Sequence, residues 1–123
     1  MNLPSFNYAT VAGSTEMHNQ FKKEFTIYVS KMIPQALVLP YDVAFVRAYS
    51  EPEKVFQVGQ KGVLDTIVIL PKATLWFDMK TGGARLQKNQ MAFCERIFHI
   101  HGERRGFKIT SVEDGIDIIE QFL

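Results

Sequence analysis

Apolar side chains recur at spacings of three and four through Met17, Phe21, Phe25, Tyr28 and Met32, the repeat of one helix face. Ser14 or Thr15 stands ahead of them as a cap, and Pro34 ends the helix. The pattern then changes. Leu37 to Leu39 and Val43 to Tyr49 are short apolar or β-branched runs broken by Pro40, and Val55 to Val58 is a further extended run.

From Thr66 the pattern is clearer. Thr66 to Leu70 is nearly all β-branched or apolar, Pro71, Lys72 and Ala73 form a short connection, and Thr74 to Lys80 continues extended. This predicts a β-hairpin. Gly82 and Gly83 end the second strand, and Leu86, Gln90, Cys94, Ile97 and His101 then mark a helix from Leu86 to His101 that Gly102 stops. Phe107 to Thr110 reads as a strand. Ser111 caps a last helix that turns Val112, Ile116, Ile119 and Phe122 inward. A strand pair, a crossover helix and another strand imply a mixed sheet whose last strand runs parallel to its predecessor, with helices on the faces. The expected fold is a compact α/β sandwich.

The 123 residues and 46% apolar composition supply one core and exclude disordered and fibrous classes, so 1–123 is expected to form a single domain. One cysteine, Cys94, excludes an internal disulfide framework and a thiolate metal cluster. No stretch approaches the roughly 18 apolar residues of a membrane span, and the expectation is a soluble intracellular protein with no membrane partner. The net charge of +1 hides an uneven distribution. Residues 78–108 carry seven basic side chains against three acidic ones, whereas residues 109–123 carry four acids and no base. A local basic surface attracts a polyanion better than the whole-chain charge does.

Asp65 stands just before the first hairpin strand, and Asp78 and Lys80 lie at i and i+2 near the end of the second. A period of two puts Asp78 and Lys80 on one face. The hairpin has the length to bring its open ends together, so two carboxylates and an ammonium can converge. Two carboxylates and a backbone carbonyl make a hard oxygen site suited to Mg²⁺ or Mn²⁺ and to phosphodiester hydrolysis. Each residue also has an ordinary role, Asp as a turn or capping residue and Lys as a solvated edge charge.

Read together, Gly59, Gly62-Val63-Leu64-Asp65, Asp78-Met79-Lys80 and Leu86 followed by Gln90 resemble the PD-(D/E)XK nuclease superfamily, and within it most resemble the VRR-NUC family, over about Gly59 to Phe122. The resemblance implies a restriction-endonuclease-like three-layer sandwich with a mixed central sheet. It implies Asp65 and Asp78 as metal ligands with the Met79 carbonyl, Lys80 as the catalytic lysine and Gln90 as a supporting residue. Glu16 is the candidate acid on the first helix, sharing a face with Gln20, and Glu24 competes with it. Two departures stand out: Leu64 replaces the proline of the superfamily's name, and Asp78 is shorter than the family's common glutamate.

The expected activity is metal-dependent endonucleolytic cleavage of DNA, in branched or structured forms such as four-way junctions. Arg85, Lys88, Arg96, Arg104 and Arg105 are expected to contact the backbone, and a homodimer would supply the two sites that symmetric junction cleavage needs. The alternatives are a noncatalytic nucleic-acid-binding or assembly module on the same fold, and a related nuclease acting on RNA or linear duplex. His99 and His101 flank Ile100, and residues two apart on a helix do not face one another. His101 is expected to complement the helix C-terminus, His99 to be surface and His18 simply helical. Cys94 is expected to pack in the core.

Overall fold

A computed structural model of the chain describes residues 6–40, 44–47, 55–58 and 64–123. Gly59, Gly62 and Val63, which carry part of the family resemblance, lie outside the described residues, as do Val43, Ala48 and Tyr49 at the ends of one expected strand.

A 3₁₀ turn at Tyr8–Thr10 precedes helix α1, Thr15–Met32. The Ser14 side chain accepts the Met17 N–H at 3.1 Å, which settles the cap on Ser14. Phe21, Phe25 and Val29 form the buried stripe. The helix ends one residue before Pro34 could break it, with Ile33 as its last cap.

Strand β1, Leu37–Pro40, pairs antiparallel with β4, Thr66–Ile69, which pairs antiparallel with β5, Thr74–Met79. The expected hairpin is thus β4–β5, closed by the Leu70 N–H on the Ala73 carbonyl at 2.8 Å. Strands β2, Ala44–Arg47, and β3, Val55–Val58, form a separate antiparallel pair. Helix α2, Lys88–His101, crosses to β6, Gly106–Ile109, which runs parallel to β5 with Asp78 opposite Lys108. Helix α3, Val112–Glu120, follows, and the Ser111 side chain accepts the Asp114 N–H at 3.1 Å. The sheet order β1-β4-β5-β6 is mixed.

Strand β5 sorts its side chains by alternation. Leu75, Phe77 and Met79 enter the main core with Phe21 and Phe25 of α1, Phe107 and Ile109 of β6, and Ile116 and Ile119 of α3. Phe77 lies 5.2 Å from Phe25 and 5.8 Å from Phe107, centroid to centroid. Trp76 and Asp78 point the other way, toward α2, where Trp76 meets Phe93 edge-on at 5.9 Å. The molecule is a small α/β fold with helices on both faces of a mixed four-stranded sheet.

Two sequence expectations change. Helix α2 starts at Lys88, because Gln87 takes the cap position. Of its expected inner stripe only Gln90 is buried; Cys94 and Ile97 are half-buried and His101 is exposed. One side of α2 meets the sheet and no described element covers the other, so Met91, Phe98 and Ile100 remain exposed beside the charged residues. Among the described residues, no helix is long and apolar enough to cross a membrane.

Candidate active site

The carboxyl end of β5 collects the chemistry. Asp78, fully buried, accepts the Gln90 Nε2–H at Oδ1 over 3.0 Å. Its Oδ2 has no hydrogen bond of ordinary geometry, and the Lys80 ammonium 2.8 Å away balances it by charge. Lys80 also donates to Gln90 Oε1 at 3.3 Å. That oxygen accepts the Gln87 N–H at 3.0 Å, so one amide side chain caps α2 and holds both members of the ion pair.

Asp65, immediately before β4, reaches the same place from the neighbouring strand. Its Oδ2 accepts the Met79 N–H at 3.1 Å and lies 3.0 Å from His18 Nε2 on α1. Geometry therefore brings together Asp65, Asp78, Met79, Lys80 and Gln90, four side chains and one main-chain segment. His18 is the residue that sequence reasoning missed. His18 stands three residues before Phe21 and seven before Phe25, beside the buried stripe of α1, so helical spacing turns it toward the sheet; what the spacing does not give is Asp65 as its partner.

Electrostatics treats the acids as a pair. Burial, then the nearby charge of Asp65, pushes the Asp78 carboxyl up to about 6 against the opposing pull of Lys80. Burial also works against the charge of Asp65. Hydrogen bonding to His18 and Asp78, followed by the Met79 N–H, outweighs it and holds Asp65 below the usual carboxylate range. The Asp65 hydrogen bond raises His18, with burial opposing it. The two acids share a preference for one proton, carried by Asp78.

Two crowded carboxylates, one with an oxygen satisfied by charge alone, fit a hard divalent cation. Among the described residues no three His, Cys, Asp or Glu side chains form a cluster that could hold a metal ion. Mg²⁺ asks for less, since it is commonly bound through one or two carboxylates and retains several waters.

The remaining candidates fall elsewhere. Glu16 is exposed on the first turn of α1 and makes no hydrogen bond to the other candidates among the described residues. Glu24 accepts the Tyr8 hydroxyl at 2.6 Å and the Gln20 amide at 3.3 Å. The helix flank that carries Gln20 and Glu24 is thus engaged by the N-terminal segment, and α1 offers His18 to Asp65 where Glu16 was expected. Arg85, Lys88 and Arg96 are exposed, Arg85 and Lys88 in and next to the loop that leads from β5 into α2. Arg104 donates to the Gly106 carbonyl at 3.2 Å and lies over the Phe107 ring at 4.8 Å. Arg105 is bound to Glu103 through Nε at 2.8 Å and Nη2 at 2.7 Å. Both arginines precede β6, at the end of the parallel pair away from Asp78.

His99 is exposed, 3.8 Å from Glu95, and His101 sits at the exposed helix end near Trp76. Burial raises the half-buried Cys94 thiol, which packs against Gly106. A thiol held protonated is a poor nucleophile. No protein-family model, curated protein or solved structure matches the chain.

Proposed function

We propose that the chain is a metal-dependent nuclease of the PD-(D/E)XK type, VRR-NUC-like, with a restriction-endonuclease-like sheet. The supporting observation is the convergence of Asp65, Asp78 and Lys80 at the end of one buried strand, with Gln90 fixing the last two. Asp65, Asp78 and the Met79 carbonyl would hold Mg²⁺ or Mn²⁺, whose chemistry is to acidify a bound water and to offset charge on a phosphodiester.

The chain's own residues divide the remaining work. Lys80 stays half-buried against Asp78, where its ammonium can orient the attacking water. Gln90 prevents Asp78 and Lys80 from swinging apart. His18 fixes the Asp65 carboxylate from the other side. Hydrolysis forms one P–O bond to the water oxygen and breaks another to the leaving hydroxyl.

The substrate in this reading is branched or structured DNA, and two chains together would supply the two sites for a four-way junction. Surface charge supports approach from the α2 side of the sheet. Arg85, Lys88, Arg96 and Lys108 are exposed there or at its rim, while Glu113, Asp114, Asp117 and Glu120 are exposed on α3 across the sheet.

Labelled four-way junction, linear duplex and RNA incubated with Mg²⁺, Mn²⁺ or chelator test the reading. The expected result is junction cleavage that requires the cation and falls by about 10²-fold or more in Asp78→Ala and Lys80→Ala, with binding retained. Cleavage at the parent rate by both variants would overturn the site. Binding without cutting by any form would identify a noncatalytic module.

A further inference from the structure

Lys80 is committed to Asp78 and Gln90, Arg105 to Glu103, and Arg104 to the Gly106 carbonyl. None is a ready anchor for a substrate phosphate at the acids. Strand β6 supplies one. Lys108 is the register partner of Asp78 in the parallel β5–β6 pair, and partners in register project to the same face. Phe107 and Ile109 on either side enter the main core, so Lys108 is turned onto the face that carries Asp78. It is exposed, and among the described residues its ammonium has one partner, the Ala84 carbonyl at 3.3 Å.

We infer that Lys108 holds a non-bridging phosphate oxygen of the substrate beside Asp78. The inference rests on the reading that this site takes a phosphodiester. An ammonium has three donors, and the Ala84 contact uses one, leaving two for another acceptor. That same contact anchors the ammonium to the loop between β5 and α2, next to Arg85. Arg104 and Arg105 lie three to four residues earlier on the same strand line, about 10–13 Å from this level at strand rise. The basic cluster in the sequence thus divides into one lysine level with the acids and two arginines at the far end.

Lys108→Gln separates charge from structure, because its amide retains a donor for the Ala84 carbonyl. Binding of a labelled four-way junction is measured by anisotropy in chelator across a salt series, and cleavage is measured with Mn²⁺. The expected variant binds about three- to tenfold more weakly at low salt, and its log–log salt slope falls by about one. Its KM rises with kcat within about twofold, and Lys108→Arg restores both binding and slope. Arg105→Gln leaves the slope unchanged.

An unaltered slope in Lys108→Gln overturns the inference, as does an affinity loss that Lys108→Arg fails to restore. A parent that binds but does not cut, with the slope still reduced in Lys108→Gln, would sink the nuclease reading and sustain the phosphate contact. Cleavage by the parent with an unaffected Lys108→Gln would do the reverse. A parent that binds no nucleic acid overturns both.

Discussion

Asp78 is the residue under most tension. Its carboxyl has an ordinary value of 3.8 and is pushed up to about 6 by burial and by Asp65. It therefore binds its proton more tightly in the folded chain than in the unfolded one. Stability is lost as pH rises from near 4 through 6, and the loss is complete above pH ~7. In chelator, Asp78→Asn should raise stability at pH ~7.5 by about 1–2 kcal/mol and add nothing at pH ~3.5. The full shift would be worth roughly 3 kcal/mol, but the substitution also removes the counter-ion of Lys80. Urea unfolding at the two pH values measures this, and an Asn variant less stable than the parent at the higher pH would count against the crowded pair.

The acids and Lys80 were legible because their positions follow from local rules, a period of two and a hairpin of fixed length, whereas Gln90 entered as a site residue through the family resemblance alone. His18 shares a helical face with Phe21 and Phe25, but its pairing with Asp65 depends on how α1 sits on the sheet, which is a tertiary property. The same limit explains Arg104 and Arg105, which sequence proximity groups with Lys108 and strand geometry separates from the acids.

At the scale of elements, strands with β-branched runs and helices with capped ends were readable before folding was considered. Ser14 and Ser111 each accept the N–H of the third residue of the helix that follows. The seating of α2 was not readable, since periodicity cannot say how much of a helix face a sheet will cover. Its close contact runs through Gly106, where an added Cβ would come 2.8 Å from Cys94 Sγ, with Cys94 Cβ and Leu64 Cδ1 each at 3.5 Å. Gly106→Ala should therefore lift α2 from the sheet and cost about 1–3 kcal/mol. In a Cys94→Ala background the sulfur is gone, and the added cost should shrink by at least half. A double-mutant cycle from denaturant unfolding reads the coupling directly. Additive costs would show that the contact is not what seats the helix.

Across the whole molecule, the two faces of the sheet are unequal. The α1–α3 side holds the main aromatic and aliphatic core, while Gln90 is the one buried residue of α2. Hydrogen exchange should follow this inequality. Amides of β4 and β5 should exchange only through global unfolding, and those of α2 through a cheaper opening that releases Gln90 from Asp78 and Lys80. Exchange from α2 as slow as that of β5, in chelator, would contradict the weaker attachment.

The alternation along β5 has a last consequence. Leu75, Phe77 and Met79 interleave with Trp76, Asp78 and Lys80, so a slip of one residue in pairing would turn acid and amine toward the apolar core and Phe77 out of it. Such a register would set charged groups against the apolar core, a costly burial. Turnover per mole of folded protein should accordingly stay constant between preparations of differing yield, with quality control written into the zipper of a single strand.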